Sequence, residues 1–486
     1  MLSLEEARKL ADGYQIVPIS REILADIRTP IEALRILKGV DKHCYILESV
    51  ENQEIWGRYT FLGYDPKMEI TCKDGVMTIK NGKMETKRTD DPGQCLKEIL
   101  SDYTSPKLPG LPAFTGGLVG YFSYDYVKYG EPEINLEAED EEGFRDLDLM
   151  LFDKVIAYDN VRQKIILIAN ARTENLESEY NRCITEIEKM AELLRDGKPV
   201  SEEPGEVLSP FHPLFSEQEY CRMVEQAKQY IYEGDIFQVV LSNRMEADYK
   251  GGLLNVYRLL RTSNPSPYMF YFGSDDMEVA GASPETLVKL ENGVLHTFPL
   301  AGTRKRGSSA QEDACLEKEL LEDEKECAEH NMLVDLGRND LGKISEFGSV
   351  KVEKYMEVQK FSHVMHIGST VTGNIKEGYT ALDAVNAVLP AGTLSGAPKI
   401  RAMEIIRELE NNKRGIYGGA IGYLDFAGNL DTCIAIRLVF KKNGKVFIRS
   451  GAGIVADSVP EKEFRECIQK AKAVVEAVEL GAGGML

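Results

Sequence analysis

Turn-forming dipeptides divide parts of the chain into short segments that carry the hydrophobic pattern of β-strands. Apolar positions alternate with polar ones, or form short apolar runs, on both sides of Asp74-Gly75, Asn81-Gly82, Asn292-Gly293 and Asn443-Gly444. Asn-Gly and Asp-Gly tolerate the positive φ angles of tight hairpins. The pattern therefore predicts strand pairs that are largely antiparallel in both halves of the chain.

Other segments repeat their apolar positions every three or four residues, as amphipathic helices do. They span 174–194, 216–233, 310–336, 397–410 and 459–479. The last begins with Ser458-Val459-Pro460-Glu461, which fits a capping box with a proline in the first turn. Antiparallel strands and separate helical segments together predict an α+β fold rather than a doubly wound one.

A segment rich in proline, glycine, serine and charge, 195–213, predicts the main boundary of the chain. It divides the sequence into two regions, 1–195 and 212–486. A second acidic segment, 131–148, is interpreted as a surface excursion within the first region.

The charge balance argues against a nucleic-acid partner. The 486 residues include 58 Lys and Arg against 79 Asp and Glu, for a formal net charge of -21. Such an acidic surface repels a phosphate backbone unless a basic face is strongly segregated. The short basic cluster Arg304-Lys305-Arg306 does not outweigh it and is interpreted as the flank of a loop.

Three further features favour a soluble protein of the reducing cytoplasm. The first twenty residues lack the continuous apolar core of a secretory signal, and no apolar run approaches the length of a membrane span. The nine cysteines include no Cys-x-x-Cys pair that would suggest zinc or redox chemistry.

Two predicted helices each carry a pair of glutamates three positions apart. The pairs are Glu326 with Glu329 and Glu463 with Glu466. Each pair shares one helix face, so two such helices in contact could offer four carboxylates to a hard cation such as Mg²⁺. A solvated face is the alternative, because Glu319 and Glu322 have the same spacing, and Lys470 could form an ordinary helix salt bridge with Glu466.

The segment DLGRNDLGKIS, 335–345, nearly matches the motif of a phosphate-binding P-loop. Ile344 stands where the motif needs a hydroxyl that binds Mg²⁺, and Ser345 comes one place late. A helix without a preceding strand is also the wrong context, so nucleotide hydrolysis is a poor alternative.

Two glycine-rich segments and two single side chains are candidates for ligand contacts. The segment 389–406 runs from a loop into a helix, and 449–455 ends a strand with glycines that let a ligand approach the backbone. Arg437 lies in the apolar strand DTCIAIRLVF, where its guanidinium needs a partner such as a substrate carboxylate. His366 and its neighbour His363 are equal candidates for acid-base chemistry.

Seven segments of the second region occur in a characteristic order. They are GASPETLVKL, FPLAGTRKRG, EHNMLVDLGRNDLG, HVMHIGSTVTG, LPAGTLSGAPKIRAMEII, GIYGGAIGYLDFAGNLDTCIAIR and GAGIVADSVPEKEF. Together they cover most of residues 212–470 and resemble the chorismate-utilising enzymes, most closely the anthranilate synthase branch of that family. The resemblance implies an α+β fold with a large, mostly antiparallel β-sheet structure, surrounding helices and a Mg²⁺ cofactor.

The resemblance also implies how the metal and substrate are held. Glu329 and Glu466 would bind Mg²⁺ directly, with Glu326 and Glu463 supporting through water. Chorismate is a dicarboxylate, so a divalent cation would have to bridge its ring carboxylate to these acids. The implied substrate contacts are Gly302, Thr303, Tyr417, Arg437, Gly451, Ala452, Gly453 and Lys470, with Gly302 and Thr303 acting from a loop.

The implied reaction begins with attack of ammonia on C2 of the chorismate ring as the C4 hydroxyl leaves. Loss of pyruvate then gives anthranilate. Glu285 matches the family's acid near that hydroxyl, since an oxygen leaving group benefits from proton donation. His366 and Thr393 match positions around the departing enolpyruvyl group, where His366 would assist the elimination. The group that takes the C2 proton stays open.

Two positions separate this chain from other branches of the family. Isochorismate and salicylate synthases use a lysine base at the position of Gln238, and aminodeoxychorismate synthase uses a nucleophilic lysine at the position of Ala301. Neither side chain here can do that chemistry, which favours ammonia as the nucleophile. The chain has no Gly-x-Cys-x-Gly nucleophile segment, so the resemblance implies a separate glutamine amidotransferase subunit, in a heterotetramer.

A tryptophan site is implied by two further segments. YILESVENQEIWGRYTFLG, 45–63, resembles the family's regulatory element and includes Glu48-Ser49, while NPSPYMFYF, 264–272, supplies Pro267-Tyr268-Met269. A strand core plus a proline turn is the alternative for both. The resemblance implies feedback inhibition by tryptophan of the first step of tryptophan biosynthesis. A tryptophan sensor without catalysis is the alternative function, against which the complete Glu, His and Arg set argues.

Overall fold

The computed structural model describes residues 2–49, 57–201, 204–360 and 364–483. The strands of the first region are β1 (Ile16–Leu24), β2 (Cys44–Glu48), β3 (Tyr59–Tyr64), β4 (Met68–Lys73), β5 (Val76–Asn81), β6 (Lys83–Arg88), β7 (Gly117–Phe122), β8 (Leu147–Phe152), β9 (Lys154–Asp159) and β10 (Lys164–Arg172). The later strands are β11 (Glu206–Val207), β12 (His212–Pro213), β13 (Gln238–Lys250), β14 (Tyr268–Gly273), β15 (Met277–Ser283), β16 (Thr286–Glu291), β17 (Val294–Thr297), β18 (Leu300–Lys305), β19 (Lys351–Lys360), β20 (Val364–Asn374), β21 (Gly396–Ala397), β22 (Ala420–Asp425), β23 (Leu430–Ile434), β24 (Leu438–Lys442) and β25 (Lys445–Ile454). The helices are α1 (Leu4–Leu10), α2 (Pro30–Val40), α3 (Pro92–Ser101), α4 (Leu176–Asp196), α5 (Glu217–Glu233), α6 (Leu254–Ser263), α7 (Ala310–Glu322), α8 (Glu324–Gly342), α9 (Ala381–Val388), α10 (Lys399–Glu410) and α11 (Pro460–Ala482).

The strands form two large sheets. The first, of 13 strands, has the order β1-β10-β9-β3-β2-β14-β15-β24-β25-β13-β11, with β12 and β21 also paired to β13. The second, of 12 strands, has the order β18-β20-β17-β16-β23-β22-β7-β8-β4-β5-β6, with β19 paired to β20. Neighbouring strands run antiparallel, as in the β14–β15 and β22–β23 pairs. The α+β prediction is confirmed.

All four predicted hairpin turns are present, joining β4 to β5, β5 to β6, β16 to β17 and β24 to β25. At the turn between β24 and β25, Asn443 and Gly444 have φ angles of 52 and 75°. A two-residue hairpin with positive φ matches the twist of its strands, which is why these dipeptides could be read from sequence.

The two sheets pack face to face, and helices cover their outer faces. Strand β14 shows the arrangement, because its side chains alternate between two cores. Phe270 and Phe272 join an aromatic core between the sheets, where the Phe272 ring lies 6.3 Å from that of Tyr121 on β7. Met269 and Tyr271 point the other way, into the core beneath helices α4, α6 and α11. Helices α3, α8 and α9 cover the second sheet in the same way.

The chain passes from one sheet to the other at two adjacent places that matter for the site. It leaves the first sheet after β15 and enters the second at β16, through Pro284-Glu285, and it returns between β23 and β24, through residues 435–437. Ile434 N donates to Glu285 O at 2.9 Å, and Ala282 N donates to Arg437 O at 3.1 Å. The prediction that Arg437 lies within a strand was wrong. It lies at the break, with a φ of 53°.

Three local predictions also need correction. The capping box expected at Ser458 is absent, because α11 has Val459 as its N-cap without a side-chain cap bond, although the expected proline does stand in its first turn. The helix expected over 310–336 is two helices, because the Asp323 side chain accepts from the amides of Lys325 and Glu326 and so begins α8. The segment around Gly302, expected as a loop, is strand β18 with a bulge between Ala301 and Arg304. The P-loop-like segment, 335–345, begins inside α8 and ends three residues beyond it, and helix α7 rather than a strand precedes α8.

Strands from both sides of the segment 195–213 contribute to both sheets; β2 pairs with β14, for example. The division into a regulatory region 1–195 and a catalytic region 212–486 therefore stays a prediction about roles. Within the described ranges, no helix has the length and apolarity that a membrane crossing requires. All nine cysteines are free thiols.

Candidate active site

A cavity of about 820 Å³ lies where the two sheet crossings meet helices α8 and α11. Its walls include almost all the catalytic, substrate and metal residues expected from the sequence: Glu285, Gly302, Thr303, Glu326, Glu329, His366, Thr393, Tyr417, Arg437, Gly451, Gly453, Glu463, Glu466 and Lys470. Ala452 is the exception. Side chains alternate along β25, so Ala452 packs on the other face, against α5 and α10.

Glu285 lies on the cavity wall at the crossing from β15 to β16. Thr393 Oγ1 donates a hydrogen bond to Glu285 Oε1 at 3.1 Å. Burial raises the pKa of Glu285 to about 7, although the hydrogen bond from Thr393 and the charge of Lys470 both favour the ionised form. A carboxyl group with this pKa can hold a proton near neutral pH and release it to a substrate oxygen.

Strand β18 holds His366 in one orientation. His366 Nδ1 lies 2.7 Å from Gly302 O and 3.2 Å from Thr303 Oγ1. A carbonyl only accepts, so Nδ1 carries the hydrogen in the neutral ring and Nε2 is the nitrogen that can exchange a proton. Burial lowers the pKa of His366, which favours the neutral ring. His363, the other candidate, lies outside the described residues.

Gly302 has a conformation that requires glycine. Its φ is +66°, and a Cβ atom there would lie 3.0 Å from Leu320 Cδ1 and 3.1 Å from Glu326 Oε2. The bulge in β18 therefore brings the Gly302 backbone close to Glu326 of α8. The carbonyl oxygen of the same glycine contacts His366.

The four glutamates lie on two helices that both line the cavity. Burial raises the pKa of Glu329, and the neighbouring charge of Glu326 raises it further. Burial likewise raises the pKa of Glu463, with a further contribution from Glu466. Like-charge repulsion thus contributes within each pair, while Lys470 forms the helix salt bridge with Glu466 that the sequence offered as an alternative. The Glu466 side chain is 50% exposed, so the metal role of these glutamates stays a prediction beside the solvated-face alternative.

These oxygen donors fit a hard divalent cation. A cation between the helices would relieve the repulsion that raises both pKa values. Among the described residues, however, these glutamates do not bring three ligand atoms within 4.8 Å of one another. That openness also suits Mg²⁺, which keeps several waters and takes oxygens from its substrate rather than filling a closed protein cage.

Cationic and hydroxyl groups face the acids across the same cavity. Arg437 NH1 donates to Lys470 O at 3.2 Å, and no carboxylate of the described chain forms a salt bridge with its guanidinium. Lys470 Nζ lies 2.7 Å from Glu466 Oε1 and donates to Gly451 O at 3.1 Å. Burial lowers the pKa of Arg437. An anion bound here would supply the missing charge partner.

Ala301 and Gln238, the two residues expected from the resemblance to separate this chain from other branches, both line the cavity. Ala301 is nearly buried, at 9% exposure, beside Gly302. Gln238, at the start of β13, hydrogen-bonds the Glu329 carboxylate and thereby opposes the rise of its pKa. Neither side chain offers a base or an amine nucleophile.

The sequence missed two charged residues of this cavity, Lys325 and Arg449. Lys325 precedes Glu326, and its charge lowers the pKa of both Glu329 and Glu463. Arg449 is buried and bonded to Glu410 at 3.0 Å, a partner distant in sequence. The helix spacing could have revealed Lys325. Arg449 lies in the apolar strand KVFIRSGAGI, so the signal used for Arg437 could have revealed it too.

The predicted tryptophan element is assembled from β2 and β14, which pair with Glu48 opposite Met269. Tyr257 and Arg261 of α6 both donate to Glu48 Oε1, at 2.5 and 2.6 Å. Ser49 follows at the end of β2. Tyr268 OH donates to Asp431 Oδ1 at 2.9 Å, and Pro267 lines the large cavity, so this element adjoins it. Residues 50–56 of the segment lie outside the described residues.

A second titratable cluster, His43, Glu69 and Asp275, has ligand atoms within 4.8 Å of one another. Lys42 lies 2.8 Å from Asp275, and Lys80 also contacts it. The hydrogen bond to Glu69 is the main cause that raises the pKa of His43, to about 9. The cluster is an ion-pair network that the lysines already neutralise.

Comparison with known proteins identifies relatives over nearly the whole chain. The profile of the family described as chorismate binding enzyme matches residues 42–476. Anthranilate synthase component 1 of Acetivibrio thermocellus is 45% identical over 487 residues, covering 98% of this chain and 98% of the relative. The crystal structure of anthranilate synthase component I from Streptococcus pneumoniae TIGR4 has a TM-score of 0.76 at 40% identity, covering 93% of this chain and 98% of that chain. The menaquinone-specific isochorismate synthase of Escherichia coli, at 18% identity, shares the fold, with a TM-score of 0.69 over 98% of each chain.

Proposed function

The chain belongs to the chorismate binding enzymes, and from that membership we propose that it is component 1 of an anthranilate synthase. It converts chorismate and ammonia to anthranilate and pyruvate, the first step of tryptophan biosynthesis. The observation that carries this proposal is the joint presence of Glu285, Gln238 and Ala301 in one cavity. An acid is available for a leaving hydroxyl, while the base and the amine that would direct chorismate to other products are absent.

In the first step, ammonia forms a bond to C2 of the ring, both ring double bonds shift and the C4–O bond breaks. The new ammonium group then loses one proton to water. Glu285 donates its proton to the departing oxygen, which leaves as water. The elevated pKa of this carboxyl supports the assignment, since an ionised glutamate has no proton to give. Thr393 positions the carboxyl through its hydrogen bond.

In the second step, the ring loses its C2 proton and the enolpyruvyl C–O bond breaks, so the ring becomes aromatic and pyruvate departs. His366 assists this elimination through Nε2, while Gly302 and Thr303 hold its other nitrogen. The glycine at 302 supports a precise placement, because its positive φ and missing side chain let β18 approach both His366 and the acidic helix.

Substrate binding uses both walls of the cavity. Tyr417, Arg437, Lys470 and the backbone at Gly451 and Gly453 hold the carboxylates of chorismate. Glu329 and Glu466 hold Mg²⁺, supported by Glu326 and Glu463. When bound, the cation neutralises this acidic wall so that an anionic substrate can lie against it.

Ammonia comes from a separate glutamine amidotransferase subunit, which the designation of the relatives as component 1 supports. We place the assembly, a heterotetramer, in the cytoplasm. Free ammonium salts replace the partner in vitro, because the chemistry of the cavity needs ammonia and not its source.

The product distinguishes this proposal from its alternatives. We expect the purified chain to form anthranilate, detected by its fluorescence and by chromatography, when chorismate, ammonium and Mg²⁺ are supplied together. Glutamine without the partner subunit should not replace ammonium. Isochorismate or aminodeoxychorismate as the final product would contradict the assignment, and tryptophan binding without any turnover would favour a purely regulatory protein.

We also propose that tryptophan inhibits the enzyme at the β2–β14 element, which supports regulation because Pro267 belongs to both this element and the cavity wall. Replacing Ser49 with phenylalanine should raise the tryptophan concentration for half-inhibition by about tenfold or more, because a bulky ring fills the space for the ligand; tenfold is about 1.4 kcal/mol of binding. Uninhibited kcat should change little.

The control for that variant is the same substitution at Ser101, an exposed residue at the end of α3. It should leave half-inhibition unchanged. Equal tryptophan sensitivity in the Ser49→Phe and wild-type enzymes would place the inhibitor elsewhere.

A further inference from the structure

A second, much smaller cavity of about 40 Å³ lies behind the catalytic cavity. Glu285, Thr393 and Leu333 line both spaces. Asp340 and Val388 line only the smaller one. The proposed acid therefore stands between the substrate space and a second, smaller pocket.

Asp340 brings an unsatisfied acceptor to this pocket. Its side chain is buried, at 4% exposure, and Lys399 Nζ donates to Oδ2 at 2.6 Å and to Val388 O at 3.0 Å. Asp340 Oδ1 has no hydrogen-bond partner among the described residues. Leaving a buried acceptor unpaired costs about 1–3 kcal/mol, more for a charged group.

The pocket has the size and chemistry to hold water. One water needs about 10–15 Å³ of such space and at least two polar partners. Asp340 Oδ1 and the Glu285 carboxyl group can supply those partners, since both residues line the pocket. We infer that ordered water fills this pocket and hydrogen-bonds both carboxyl groups, so that the Asp340–Lys399 ion pair acts through the water as a positioning group that holds Glu285 protonated. This inference rests on the proposed role of Glu285 as the acid.

Helix α8 explains how one element serves both spaces. Its residues at 326, 329 and 333 line the large cavity, and those at 333, 336, 337 and 340 line the small one. These positions follow the three-to-four residue repeat of one helix face. The charged group that acts directly on Glu285 is Lys470. Asp340, across the inferred water, is itself acted on by Lys399. Lys343 and Glu131 also act on Asp340.

The test replaces Asp340 with asparagine and follows kcat/KM for anthranilate formation against pH, at a fixed concentration of free ammonia. The alkaline limb of this profile reports the pKa of the essential acid in the free enzyme. Asp340 is nearer to Glu285 than Lys399 is, because Lys399 does not line the pocket. Removing the negative charge should therefore move the alkaline limb to lower pH, by about one unit.

The matched control is Asp335→Asn, on the same helix but exposed and paired with Arg338. Its profile should superimpose on that of the wild type. A second variant, Gly337→Ala, leaves the ion pair intact. Its new methyl group would lie 3.1 Å from Thr297 Cγ2 and 3.7 Å from Pro299 Cγ, both in the pocket wall, and should displace water. The limb should again move to lower pH.

Unchanged limbs in both Asp340→Asn and Gly337→Ala, with folding verified by thermal unfolding, would overturn the inference. A high-resolution crystal structure with an empty pocket would also overturn it. If the wild-type enzyme makes anthranilate while these tests fail, only this inference falls. If the wild type makes none, the proposed function itself fails.

Discussion

The Glu329→Gln variant is expected to lose activity by a factor of about 10² to 10³, while its thermal stability does not fall. Loss of one anionic metal ligand removes several kcal/mol of charge stabilisation, and about 1.4 kcal/mol corresponds to a factor of ten. Stability should hold because glutamine removes the repulsion that, with burial, raises the pKa of Glu329. The new glutamine can still form a hydrogen bond with Gln238. Activity is measured as anthranilate formation over a Mg²⁺ titration, where the variant should need more metal.

The control is Glu322→Gln, which makes the same change of charge on α7, at a side chain that is 68% exposed. This variant should retain wild-type activity and the same Mg²⁺ requirement. If Glu329→Gln behaved like the control, and Glu466→Gln did so too, the glutamate pairs would be an ordinary solvated face after all.

Local sequence signals predicted the elements that depend on local physics. The Asn-Gly and Asp-Gly hairpins were found because positive φ is a property of those residues themselves. The acidic spacing of α8 and α11 was found because one helix face repeats every three to four residues. The break between α7 and α8 was missed, although Asp323 is a good N-cap, because the apolar periodicity continues across it.

The arrangement of the site could not be derived from local patterns. Arg437 reads as part of one apolar strand, yet the chain changes sheets there, which only the pairing of β23 and β24 with different partners reveals. The pairing of β2 with β14 and of Asp340 with Lys399 likewise joins residues far apart in sequence. The family resemblance supplied the site residues in advance because it carries such long-range information, and the structure adds their contacts.

The basic cluster Arg304-Lys305-Arg306 also forms contacts that the local sequence does not reveal. Arg304 pairs with Glu319 and Asp323, and Arg306 pairs with Asp313. These contacts fasten β18 to α7 and to the start of α8. Two of the cluster's three side chains are thus paired within the chain. The neighbouring Gly302 is held where it can meet His366.

The other large loss of activity is expected when the proposed acid, Glu285, is replaced. Glu285→Gln should reduce kcat by a factor of about 10² to 10⁴, the usual contribution of a positioned proton donor, with little change in chorismate affinity. Glutamine keeps the size of the side chain, and its carbonyl oxygen can still accept from Thr393, so the fold should be retained. Stopped assays of anthranilate give kcat, and direct binding of chorismate in the absence of ammonia gives affinity.

The pH dependence makes this prediction specific to a proton donor. Because the pKa of Glu285 is raised to about 7, the protonated form that can act predominates below neutral pH and is lost above it. At fixed free ammonia, wild-type kcat/KM should therefore fall as the pH rises past about 7, and Glu285→Gln should lack this limb. Glu291→Gln, which makes the same charge change at a side chain paired with Lys289 on β16, should keep both the rate and the limb. A Glu285→Gln enzyme with the wild-type profile would show that another group protonates the leaving hydroxyl, since glutamine cannot.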